Sequence, residues 1–239
     1  MRIPAITGII RRRILLNYRI SPEVVEAILP DHFRPKLING YSIAGICLIR
    51  LEEIRPKGFP SLIGLSSENS AHRIAVEWDD PQEHQEGVFV PRRDTDSRMN
   101  SLAGGRIFPG VSHHSSFVVN DSGGAISMRI SPTDMEKPLV ELDAEESNTF
   151  PGTSIFGSLE VSSAFFEKGS IGYSSRPDSP TLEGLRLKAL KWVVTPLEIH
   201  SVSSAFFDDT TIFPAGSITF DHALLMRNIP HEWHSEPAL

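Results

Sequence analysis

The stretch ILLNYRI, residues 14–20, decides the fold class. Ile14, Leu16, Tyr18 and Ile20 fall on one face of it, which is the period-of-two pattern of a half-buried strand. A helix signal follows at once in Ser21-Pro22-Glu23. Serine suits the N-cap, proline the first helical position, and an acid the positive end of the helix dipole. EVVEAIL fills that short helix, and Pro30 stops it. Working outward, YSIAGICLIRLEEI (41–54) predicts a long buried strand, and HRIAVEW (72–78) and GVFVPRR (87–93) predict two more. HSSFVVNDSGGAISMRI predicts a hairpin, turning on residues that tolerate positive φ. A helix is expected over about 154–168, closing at Gly169, with strands through LRLKALKWVV, PLEIHSVSSAFF and SITFDHALLMRN. VSSAFF occurs at 161–166 and again at 202–207, once in a helical and once in a strand context, too short a match to mark a repeat array. Many strands, few short helices and no βαβ rhythm predict an α+β fold that is mainly β, an antiparallel sheet or barrel. No Pro/Gly-rich linker divides the chain, so one domain over residues 1–239 is expected.

Composition narrows the function classes. The 239 residues carry a formal net charge of -7, which argues against nucleic-acid and anionic-membrane partners, since both need a positive surface field. The one basic run, Arg11-Arg12-Arg13, is expected as a solvated lead-in to the first strand. The single cysteine, Cys47, excludes an intrachain disulfide and a multi-cysteine metal cluster; within YSIAGICLIRL it is expected as a small buried hydrophobe. No stretch approaches the roughly 20 apolar residues of a membrane span, and the N-terminus lacks the layout of a signal peptide. A soluble, cytoplasmic setting is the expectation.

Candidate chemistry concentrates between Glu77 and His114. Arg92, Arg93, Asp94, Asp96, Arg98, Arg106, His113 and His114 gather around a helix predicted in DTDSRMNSLAGG, capped by Asp94 or Asp96 and ended by Gly104-Gly105. Arginine forks suit a carboxylate, and an imidazole titrating near neutrality suits proton transfer. A purely structural set of caps and ion pairs is the competing reading. On a strand, His113 and His114 point to opposite faces, so at most one enters a pocket and the pair makes a poor metal site. HEWH (231–234) has the wrong spacing for a zinc protease motif and is expected as a surface turn, so no metal site is expected. No P-loop, dinucleotide fingerprint or nucleophile elbow appears, and no cofactor is expected.

The motifs GLSSENSAHRIAVEW, VPRRDTDSRMNSLAGGRIFPGVSHHSSF, GSLEVSSAFFEKGSIGYS and FDHALLMRNIPHEWH together resemble the DUF2071 family, over roughly residues 10 to 235. That family is similar to acetoacetate decarboxylase. The resemblance implies a β-rich, barrel-like domain with a central pocket and a tendency to form homo-oligomers. Acetoacetate decarboxylase uses a lysine Schiff base, its lysines following an aromatic-proline pair. Here the corresponding pair is Phe108-Pro109, followed by Gly110-Val111, and no lysine lies between Lys57 and Lys137. The resemblance therefore implies the fold and the pocket without that chemistry.

The expectation is a pocket for a small carboxylate or carbonyl compound. Arg93, Arg98 and Arg106 would hold the anion, His113 or His114 would move a proton, and Glu77 would orient the ligand or exchange a proton. A non-catalytic small-ligand or regulatory module using the same cavity is the alternative.

Overall fold

The computed structural model describes residues 5–80, 83–98, 108–176 and 179–239. Thirteen strands form one sheet. The first, β1 (Ile6–Ile20), pairs antiparallel with β4 (Tyr41–Pro56) on one side and with β13 (Ile218–Glu236) on the other. Beyond β4 come β5 (Leu65–Asp79) and β6 (His84–Thr95), so the order β13-β1-β4-β5-β6 makes a continuous wall of long strands. From β6 the path runs through β7 (Ser112–Ser122), β8 (Ala125–Pro132), β9 (Val140–Glu146) and β12 (Thr195–Ser204) back to β13, closing a nine-stranded barrel. A second, shorter bridge between β6 and β13 is made by β10 (Ile171–Arg176) and β11 (Ser179–Ala189). The strands β2 (Arg34–Pro35) and β3 (Leu37–Ile38) are short edge additions.

Two strands fork. β6 pairs through Val88 and Phe89 with β10, and through Arg93 to Thr95 with β7, both in parallel. β13 pairs through Ala223 to Leu225 with β12, and through His231 to Glu236 with β11. Each long strand thus serves two neighbours along its length, and the sheet divides between them. The two parallel pairings on β6 are the exception to the antiparallel expectation.

Strand parity sorts the core. Ile14, Leu16, Tyr18 and Ile20 of β1 join Ala44, Ile46 and Leu48 of β4 and the apolar residues of β8 and β9 in the barrel interior. The opposite face carries Leu15, Ile43, Cys47, Ile49 and Met226, covered by Phe156, Phe166 and Leu187. Each fully buried Ile or Leu contributes roughly 1.5–3 kcal/mol, so a one-residue slip, which moves one core into the other, is strongly disfavoured.

The helices are short. α1 (Pro22–Glu26) has proline at its start, as the sequence suggests, although the Ser21 side chain makes no capping bond. α2 (Leu159–Lys168) begins five residues later than expected, because Ser158 caps it, accepting from the Val161 N–H at 3.3 Å. It ends at Gly169. The helix expected in DTDSRMNSLAGG falls largely outside the described residues. Its proposed cap Asp94 is instead buried in β6, accepting from Arg92 at 2.9 Å and from the Ser115 hydroxyl at 2.9 Å. HEWH is not a surface turn: it lies within β13, and His231 is fully buried. Nor is the basic run solvated throughout, because the sheet continues above and below it. Arg12 faces the barrel side, buried, with Glu68 at 2.7 Å and Asp121 at 3.3 Å.

Candidate functional site

A cavity of about 270 Å³ opens beside the wall, bounded by β1, β4, β5, β6, β10, β11 and the end of α2. Its walls are largely apolar, with Val88, Val90, Phe166, Leu185, Leu187 and Trp233. Against that background stand Arg13, Arg73 and Arg93. A smaller adjoining space of about 70 Å³ shares Arg13, Cys47, Arg93 and Trp233 and reaches Phe108 and Ser112.

The three arginines differ in kind from Arg12. None has a carboxylate within ion-pairing distance among the described residues. Arg13 donates only toward sulfur, with Nε 3.2 Å from Cys47 Sγ and Nη1 3.9 Å from Met226 Sδ. Arg73 is 4% exposed; its Nη2 donates to Asn17 Oδ1 at 2.5 Å and its guanidinium lies 4.8 Å over the Phe166 ring. The Nε atoms of Arg73 and Arg93 and the indole Nε1 of Trp233 are buried donors without an acceptor among the described residues. Burial pushes Arg73 and Arg93 down to about 10, opposed at both by Cys47 and reinforced at Arg73 by the charge of Arg13, so both stay protonated at neutral pH. Gly45 makes room for this arrangement: a Cβ there would collide with the Leu16 carbonyl oxygen and crowd Arg73 Nη2.

A buried relay holds Arg73 from behind. In the β1–β13 pairing Asn17 meets His222 and Tyr18 meets Phe220, so Asp221 is bulged out of register. The bulge brings adjacent Asp221 and His222 together, with Nδ1 2.6 Å from the carboxylate. His222 Nε2 lies 2.7 Å from Ser162 Oγ and 3.1 Å from Asn17 Nδ2, and Asn17 then holds Arg73. Burial pushes His222 down, Asp221 opposes this, and the Arg73 charge pushes further down. Burial alone raises the Asp221 carboxyl, but hydrogen bonds from His222, Ser154 and the Ile155 N–H outweigh it and hold it below the usual carboxylate range. The Asp-His-Ser distances match those of a nucleophilic triad. Ser162, however, is fully buried and lines none of the cavities described here, among rings of Phe150, Phe156 and Phe166 that surround His222. The relay positions an arginine.

Of the residues singled out in the sequence, Arg93 lines the cavity. Arg98 is exposed beyond the end of β6, and Arg106 lies outside the described residues. His113 is on β7, with Nδ1 3.2 Å from Asp134, and the His114 carbonyl accepts from Thr133. Glu77 borders a separate open groove beside α1 and faces Arg34 and His84. These three are not brought to the arginines. Of GGRIFPGVSHH, Phe108 and Ser112 reach the smaller space, and Gly110, at φ 78°, packs where a Cβ would strike Ser174. Arg13, Arg73, Cys47 and the Asp221–His222 pair were missed. Strand parity was the available signal for the first three, since Arg13 and Cys47 occupy odd positions opposite the even-numbered barrel core. Lysines do border the cavities: Lys188 lies exposed at the rim, and Lys36 nearby is held by Glu86 at 2.5 Å. Lys57 pairs with Glu232 at 2.7 Å. No group of three or more metal-ligating side chains occurs among the described residues.

The model of the family DUF2071, described as "Uncharacterized conserved protein (COG2071)", matches residues 9–176. The chain belongs to the DUF2071 family. No curated protein matches it significantly. Among solved structures, this DUF2071 protein is similar to acetoacetate decarboxylase from Legionella pneumophila, with TM-score 0.60, 12% identity, and 98% of this chain and 87% of that one covered. It is also similar to an acetoacetate decarboxylase-like enzyme from Sphingomonas wittichii RW1, with TM-score 0.61, 11% identity and coverage of 98% and 92%. A third is the enduracididine biosynthesis enzyme MppR complexed with pyruvate, with TM-score 0.58, 10% identity and coverage of 99% and 90%. At these identities the likeness establishes an acetoacetate decarboxylase-like fold. No described helix is long and apolar enough to cross a membrane.

Proposed function

We propose that the cavity binds a small organic carboxylate, with its anionic end among Arg13, Arg73 and Arg93 and its apolar remainder against the valine, leucine and tryptophan walls. One observation carries this reading: Arg73, Arg93 and Trp233, each with a buried N–H donor that has no partner among the described residues, line one cavity together with Arg13. A buried cation left unpaired costs several kcal/mol, and an anionic ligand offsets that cost where water-filled space does so poorly. Pyruvate in MppR gives the size class. Of the groups first named in the sequence, Arg93 belongs to this site, and the reading asks nothing of His113, His114 or Glu77. A lysine Schiff base is not part of it either, because Lys36 and Lys57 are held in ion pairs and Lys188 is exposed at the rim.

Thermal denaturation with pyruvate, acetoacetate and the uncharged analogue acetone tests the reading. At about a hundredfold excess over Kd a ligand adds about 2.7 kcal/mol, which for a chain of this size raises Tm by roughly 5–10 °C. The carboxylates are expected to give that rise, acetone none, and Arg93→Met to abolish it. Equal effects of acetone and pyruvate, or a full shift retained in Arg93→Met, contradict the proposal.

A further inference from the structure

The only cysteine of the chain sits on the wall of this cavity. Cys47 lies at the middle of β4, on the face opposite the barrel core, and lines both the main cavity and the adjoining space. Its Sγ is 3.2 Å from Arg13 Nε; among the described residues Arg13 has no oxygen acceptor, its Nη1 lies 3.9 Å from the thioether of Met226, and its guanidinium lies 6.0 Å from the Trp192 ring centre. Arg73, nine-tenths buried and with Nε unsatisfied, lines the same cavity, as does Arg93. A neutral thiol is a weak acceptor for a guanidinium, whereas a thiolate makes a charge-assisted bond. One guanidinium on the sulfur and two more lining the same cavity give Cys47 cationic neighbours.

Building on the carboxylate reading, we infer that Cys47 is a nucleophilic thiol that captures small carboxylates bearing an electrophilic carbon, the arginines holding the carboxylate while Sγ meets the adjacent centre. With a 2-oxo acid the thiolate pair forms the S–C bond to the carbonyl carbon. The C=O π pair moves to oxygen, and that oxygen takes the proton the thiol released. The net step adds S–H across C=O, needs no other reactant and is reversible. The oxygen anion that develops lies in the field of the guanidinium groups, which stabilise it without reorganising.

An irreversible probe reads this directly. Iodoacetate and iodoacetamide alkylate the same sulfur, each forming S–C as C–I breaks and iodide leaves, but only the first carries the carboxylate. Their rates are compared by intact mass on the folded protein and on the chain unfolded in urea. The iodoacetate-to-iodoacetamide ratio is expected to rise at least about tenfold on folding, the scale of electrostatic focusing in a charged cleft. Pyruvate is expected to slow the iodoacetate reaction, a control that needs no substituted protein, and Arg93→Met is expected to lower the ratio. A ratio indistinguishable from that of the unfolded chain, or a folded protein that neither reagent labels, overturns the inference. Pyruvate-induced thermal stabilisation of the same parent protein separates the two claims. Stabilisation without the altered ratio leaves the carboxylate site and removes the thiol's role; absence of both removes the carboxylate site as well.

Discussion

At the scale of single residues, the fate of a charge depends on which face of its strand it occupies. Arg12 and Arg13 are neighbours, yet one is matched by two carboxylates and the other by two sulfurs. The same contrast makes the buried histidines a measurable handle. Burial lowers His72 to about 3, with Arg92 adding to it, and lowers His231 to about 4, with Arg13 adding to it. Above the ordinary imidazole value of 6.5 neither folded nor unfolded chain binds these protons. As pH falls through 6.5, the unfolded chain takes them up first, so stability declines with falling pH down to the folded-state values. Urea unfolding between pH 6.5 and pH 4 is expected to show this decline. His231→Leu is expected to reduce its slope by about 1.4 kcal/mol per pH unit, the contribution of one proton. A slope unchanged by that substitution contradicts the burial argument.

At the scale of elements, β13 carries the feature least visible in its sequence. Adjacent residues of a regular strand point to opposite faces, so the Asp221-His222 pair in FDHALL looks unremarkable. The bulge against β1 reverses that geometry and starts the chain of bonds ending at Arg73. Asp221→Asn keeps the shape but removes the charge that His222, Ser154 and Ile155 donate to. It is expected to cost about 1.5–3 kcal/mol, the range for hydrogen bonds to charged groups, in urea denaturation. Carboxylate affinity is expected to fall as well, because Arg73 loses its anchor; native stability in Asp221→Asn contradicts the relay. Elements with local signals were legible. ILLNYRI gave its alternation, the Asn-Asp-Ser-Gly-Gly turn gave the β7–β8 hairpin with Gly123 and Gly124 at positive φ, and Gly169 gave the end of α2. The start of α2 was placed too early, since nothing local separates the turn at 154–158 from the helix that Ser158 caps.

At the scale of the whole molecule, the mainly β class follows from the number of alternating segments, but the cavity does not. It exists because β6 and β13 each change partner part-way along, and such pairings join residues far apart in the chain. The arginine-rich stretch ending at His114 therefore carries a local signal, whereas Arg13 and Arg73 sit on strands whose sequence reads as purely structural. Arg93 stands where β6 passes from one partner to the other, and so it belongs to both descriptions.

Three guanidinium groups, those of Arg13, Arg73 and Arg93, line the space proposed for an anion. A crystal structure determined in selenate, with anomalous scattering locating selenium, tests this most directly. The expected result is a selenate in the main cavity, within hydrogen-bond distance of at least two of Arg13, Arg73 and Arg93. Selenate bound only elsewhere on the protein, with water alone among those three side chains, contradicts it.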